Sequence, residues 1–124
     1  MTVPQGRRLT GSELALLQHL LLPRFLGAST LREQIPSARV TGRCTCGCPS
    51  IDILTTGGES AAIPDGLLPV EGAARLNGPV GDPDDQILLF VQDGRLSAME
   101  YVWNGDAPPR DWPSTDQITV ILRT

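Results

Sequence analysis

Apolar and polar positions recur with two different periods along this chain, and the change of period places helices first and strands afterwards. Near the start, Leu14, Leu17 and Leu21 are spaced three and four residues apart. Leu16, Leu20 and Leu22 widen the stripe, which predicts an amphipathic helix over 12 to 22. Thr10 and Glu13 have the spacing of a capping box, with Ser12 as the alternative N-cap, and Pro23 stops the helix. Residues 1 to 9 read as irregular. A loop through Phe25 and Gly27 leads to a shorter helix over 29 to 35. Ser29 or Thr30 caps it, Leu31 and Ile35 face inward, and Ile35-Pro36 closes it.

Beyond residue 38 the period falls to two. Residues 38 to 43 predict a weak strand broken by Gly42. Residues 50 to 55 predict a second, with Ile51 and Ile53 on one face. Residues 67 to 76 predict a third, for which Pro69 implies a sheet edge or an imperfect start. The clearest signal is Gln86 to Trp103, two apolar runs around Asp93-Gly94, a dipeptide suited to a two-residue hairpin turn. Gln92 and Arg95 pair beside that turn. Strict alternation puts Leu96, Ala98, Glu100 and Val102 on one face, and Ser97, Met99, Tyr101 and Trp103 on the other. Residues 77 to 85 form an acidic turn, and Ile118 to Leu122 a last short strand. Helices followed by strands predict an α+β fold, with N-terminal helices packed on one face of a largely antiparallel sheet.

The 124 residues suit a single domain spanning 1-124, and the scarcity of aromatics leaves its core to Leu, Ile, Val and Ala. No apolar run reaches membrane-spanning length, and Glu13, Gln18 and His19 interrupt any signal-like segment, so a cytoplasmic protein without membrane attachment is expected. The net charge of -4 disfavours nucleic acid. Charge is nevertheless uneven: residues 1 to 43 carry six Arg against two acids, and the remainder four Arg against twelve. All the basic residues are arginine, a composition that resembles proteins of high-GC bacteria.

Candidate chemistry is sparse. Cys44, Cys46 and Cys48 are too few and too clustered for a disulfide framework, and their C-x-C-x-C spacing differs from the C-x₂₋₄-C pairs of structural zinc sites. In an extended segment the three thiols stand too far apart for one tetrahedral ion, although a turn at Gly47 brings Cys46 and Cys48 closer. The expectation is buried, inert thiols without a stoichiometric metal or other cofactor. His19 is a helix-surface residue, and Asp82, Asp84 and Asp85 form an exposed acidic turn. Tyr101, Trp103 and Trp112, amid Pro108, Pro109 and Pro113, are expected first to pack down over a sheet edge; the alternative is a partner surface, for which Trp103, Arg110 and Trp112 are the candidate binding residues.

Several segments resemble a family of small uncharacterised actinobacterial proteins. These are R-x-L-T-x-x-E (Arg7, Leu9, Thr10 and Glu13), C-x-C-G-C-P-S-I-D from Cys44 to Asp52, LLFVQDGRLSAMEYVW, and Trp112 to Ser114. The resemblance implies no established activity and transfers no catalytic residue. In size, acidity and architecture the chain is also similar to immunity partners of bacterial toxins. The favoured expectation is therefore a non-catalytic protein-interaction role, immunity-like, with a basic protein partner steered by the acidic surface. The alternative is a thiol- or metal-dependent enzyme, or a small metal-binding protein, using Cys44, Cys46 and Cys48.

Overall fold

The computed structural model describes residues 6–74 and 85–123. Two helices, α1 (Gly11–Leu20) and α2 (Ala28–Gln34), precede most of the sheet. The strands are β1 (Arg7–Arg8), β2 (Arg39–Arg43), β3 (Ile51–Leu54), β4 (Gly66–Ala74), β5 (Asp85–Gln92), β6 (Arg95–Val102) and β7 (Ile118–Leu122). They form one sheet in the order β1-β2-β3-β6-β5-β4-β7, and every neighbouring pair is antiparallel. The fold is α+β, as the pattern predicts. Both helices cover one face. Leu16, Leu17, Leu20, Leu21 and Leu31 are buried there with Val40, Ile51, Val70, Ile87, Leu89 and Met99. Burying each such side chain contributes about 1.5–3 kcal/mol before chain entropy is counted. No helix among the described residues is long and apolar enough to cross a membrane.

Helix α1 starts where the capping box puts it. Thr10 Oγ1 accepts from the Glu13 N–H at 3.2 Å, and Glu13 Oε1 accepts from the Thr10 N–H at 2.8 Å. Glu13 also takes two bonds from the Arg7 guanidinium, at 2.8 and 2.9 Å, so a buried carboxylate joins the helix start to β1. Residues 7 and 8, expected to be irregular, pair with Val40 and Arg39. At the far end of α1, Arg32 of α2 donates to the Leu21 carbonyl at 2.6 Å, so a second helix satisfies the terminus of the first. Helix α2 begins earlier than expected. Its N-cap is Gly27 at φ 88°, and Ser29 and Thr30 lie inside the helix rather than capping it. A 3₁₀ turn, Ile35–Ser37, continues it through Pro36.

Two strand expectations need correction. β4 is not an edge strand, since β5 and β7 flank it; its start is the imperfect part. Pro69 is tolerated because the β5 register breaks between Leu67 and Glu71, and on the β7 side Pro69 uses only its carbonyl, which accepts from the Arg123 N–H at 2.7 Å. Strict alternation along β6 also fails. The register shifts between Phe90 and Val91, which face Ala98 and Leu96, so Ser97 is the extra residue of a bulge. The bulge resets the phase, and Leu96, Met99 and Tyr101 are all buried. The opposite sheet face is the polar-apolar mixture left over, with Leu54, Leu67, Val102 and Ile121 exposed. Finally, the acidic turn expected over 77 to 85 lies outside the described residues except for Asp85, which belongs to β5.

The hairpin turn itself forms as expected, with Asp93 at φ 54°, Gly94 at φ 74° and Gln92 paired with Arg95. Glycine is required at 94 twice over. The positive φ favours it, and a Cβ there would fall on the Ala61 carbonyl oxygen. That contact brings the 55 to 61 loop against the turn, and one side chain secures both. Gln34, wholly buried at the end of α2, donates to the carbonyls of Glu59 (2.8 Å) and Gly94 (2.9 Å). It accepts from the Leu96 N–H (3.1 Å) and the Thr55 hydroxyl (3.3 Å). Arg95 closes the same loop from above by donating to the carbonyls of Gly57 (3.0 Å) and Gly58 (2.8 Å).

Two outcomes follow for stability. Gln34→Leu keeps the volume but removes the acceptor of a buried N–H and two donors, and is expected to lower the urea unfolding free energy by about 3 kcal/mol, against about 1 kcal/mol for Thr55→Val. The second concerns Glu13. Burial pushes its carboxyl up, but the Arg7 guanidinium and the Thr10 N–H more than offset this and hold it below its ordinary value of 4.5. Its contribution is therefore present above that value and lost as pH falls through the lower folded one. Glu13→Gln is expected to be about 2 kcal/mol less stable than wild type at pH 7, with the gap closing in acid. A gap independent of pH would show that Glu13 acts by shape alone.

Candidate functional site

The three cysteines lie in the loop between β2 and β3. The backbone closes this loop at its base, where the Cys44 N–H donates to the Ser50 carbonyl at 3.2 Å. Gly47 reverses the chain at φ 93°, a conformation that side chains other than glycine seldom adopt. The segment is thus a compact turn and not an extended strand, which corrects the premise that kept the sulfurs apart. All three Sγ atoms lie within 4.8 Å of one another. Cys44 and Cys46 Sγ are 2.7 Å apart, too long for a disulfide at about 2.05 Å and in direct contact. The Cys48 N–H donates to Cys46 Sγ at 3.4 Å, so the turn offers a backbone dipole to sulfur.

Burial differs among the thiols. Cys44 and Cys46 are exposed and Cys48 is 2% exposed, so the burial expected of all three holds for Cys48 alone. Charge is also distributed unequally. Hydrogen bonding to Cys44, and then to Cys48, pushes the Cys46 thiol up to about 11. Burial pushes Cys48 up as well, but hydrogen bonds from Cys46 and from Ser50 outweigh it and bring Cys48 down to about 7. Ser50 is well placed for this. Its hydroxyl oxygen accepts from the Tyr101 N–H at 2.8 Å and from the Cys48 thiol at 3.4 Å, and the same hydroxyl can turn its proton to the sulfur once Cys48 is a thiolate. Beside the cluster opens a cavity of about 360 Å³ lined by Arg43, Cys44, Cys48, Asp52, Glu100 and Trp103.

The three candidate binding residues separate in the structure. Trp103 is half-buried and lines the cavity beside Cys44 and Cys48. Trp112 packs against the hydrophobic core and stacks on Tyr101, with ring centroids 5.7 Å apart and planes 25° from parallel. Arg110 is exposed. Trp112 and Arg110 line a second cavity of about 400 Å³, and Arg43 lines both cavities. Tyr101, buried in β6, connects the two regions. Its ring carries Trp112, its N–H holds Ser50, and its hydroxyl donates to Asp85 at 3.0 Å. Burial, then Asp85, pushes its phenol far up.

Sequence reasoning passed over Ser50 and Arg43 as site residues. For Ser50 the available signal was its place two residues after Cys48. For Arg43 it was direct adjacency to Cys44. Comparison with known proteins finds no matching family profile, no matching curated protein and no matching solved structure.

The packing of Trp112 has a measurable consequence. Trp112→Ala is expected to cost about 2–3 kcal/mol in urea unfolding, because it strips a ring from the core and exposes Tyr101. Arg110→Ala is expected to stay within about 0.5 kcal/mol of wild type. Equal, small effects would mean that Trp112 is a surface residue.

Proposed function

We propose that this chain is a small metal-binding protein in which Cys44, Cys46 and Cys48 together hold one soft, thiophilic ion, Zn²⁺ or Cu⁺. The observation that carries this reading is the convergence of three sulfurs within 4.8 Å on a single five-residue turn. An ion with thiolate ligands at about 2.3 Å sets its sulfurs about 3.8–4.0 Å apart, so closure asks the Cys44–Cys46 pair, now at 2.7 Å, to part by a little over about 1 Å. Thiolates select such ions over hard cations. The Cys48 N–H and the Ser50 hydroxyl offset part of the negative charge that three thiolates bring together. Three protein ligands leave a coordination position facing the cavity, where Asp52 and Glu100 supply carboxylates.

The protein-interaction reading rests on Trp103, Arg110 and Trp112, of which Trp112 is committed to the core and to Tyr101, Trp103 is half-buried and Arg110 is exposed. The test is elemental analysis of the purified protein, followed by Zn²⁺ and Cu⁺ titration of the reduced, chelator-treated form. One ion per chain is expected, with affinity lowered at least about tenfold by Cys46→Ser. Absence of stoichiometric uptake, or uptake indifferent to Cys46→Ser, would overturn the reading.

A further inference from the structure

The second cavity bears a different chemistry from the thiol turn. Five charged groups line it: Arg7, Arg43 and Arg110 against Glu13 and Asp111. Three guanidiniums against two carboxylates leave a local net of +1 in a chain whose net charge is -4. The carboxylate of Glu13 is already spent, because both its oxygens accept from Arg7 and one also accepts from the Thr10 N–H. What remains are the guanidiniums of Arg43 and Arg110, neither of which pairs with another described residue, against the exposed carboxylate of Asp111.

A second, independent observation points the same way. Trp112 lines this cavity, and its indole Nε1 is buried without a hydrogen-bond partner among the described residues. An indole nitrogen can only donate, and a buried donor left unmet costs about 1–3 kcal/mol. Guanidiniums are donors only as well. Apart from the exposed carboxylate of Asp111, the unmet groups around the cavity are thus donors, and what they lack is an acceptor carrying negative charge. The positive end of α1, with Thr10 and Ser12 on the cavity wall, adds to the same field.

We infer that this cavity binds a small oxyanion of the phosphate class, held by Arg43 and Arg110 and by the indole N–H of Trp112. Arginine suits such a group because its planar fork meets two oxygens at once. Arg43 is also the residue through which this site adjoins the thiol turn, yet the oxyanion site needs no metal and stands apart from the reading of the cysteines.

The test is a titration of the ¹⁵N-labelled protein with inorganic phosphate, chloride making up the ionic strength, followed through the two tryptophan indole resonances. The Trp112 indole signal is expected to move saturably while that of Trp103 stays in place. Arg43→Gln combined with Arg110→Gln changes two exposed side chains and is expected to weaken phosphate binding at least about tenfold. Trp112→Phe keeps a stacking ring without the N–H and is expected to weaken it about tenfold, with the amide spectrum otherwise retained. Cys46→Ser is expected to bind phosphate as wild type does, which separates this site from the metal site. Indole signals that drift together without saturating, or affinity unchanged in the double arginine variant, would overturn the inference.

Discussion

The fold depends on a single buried amide. Among the described residues, Gln34 is the one side chain that bonds at once to the loop after β3, to a hairpin turn and to the strand leaving that turn. Its donors and acceptors are all used inside the protein, so the low polarity around it strengthens the network instead of penalising it. An apolar residue in its place would fill the same space but would not dictate which loop lies over which turn. The leucines of α1 and α2 supply most of the drive to collapse. Gln34, with Arg95 reaching the same loop from outside, decides how the collapsed pieces are aligned.

The elements were legible wherever the local pattern and the tertiary need agreed. The Thr10–Glu13 cap, the leucine stripe and the Asp93-Gly94 turn are strong local signals, and each took the predicted form. The misreadings arose where a distant partner altered the local rule. Pro69 reads as an edge residue until the β5 register breaks beside it. Ser97 reads as one more alternating position until the bulge makes it supernumerary. Gln34 reads as the polar end of a short helix, and nothing near it in the chain announces that Gly94 and Leu96 arrive 60 and 62 residues later. Glu71 is similar, a buried carboxylate explained only by Arg123 at 2.7 Å.

The site was legible as composition and not as geometry. The cysteine spacing reads as unfavourable for one ion because a C-x-C-x-C run is naturally drawn as a strand. The left-handed Gly47 folds it into a turn instead, and the closing bond from Cys44 to Ser50 makes it compact. Trp112 was easier to read. Aromatics among prolines are expected to pack down over a sheet, and Trp112 has a ring to stack on and a core to complete. Its indole nitrogen has no hydrogen-bond partner among the described residues.

The strand order carries a further consequence. Strands β1, β2 and β3 form one meander, and β4 to β7 form another set; the sheet joins them only where Ile51 faces Met99 and Asp52 faces Ala98. A seam of two residue pairs is a narrow bond between two better-knit halves. Proteins open first where few interactions must break together, so this seam is the natural boundary between two cooperative units. The cysteine turn leads directly into β3, and the Ser50–Tyr101 bond spans the seam one step beyond its last pair. Whatever tightens that turn also clasps the two halves, and the slowest amides to exchange with solvent on each side would then belong to one common opening event in place of two.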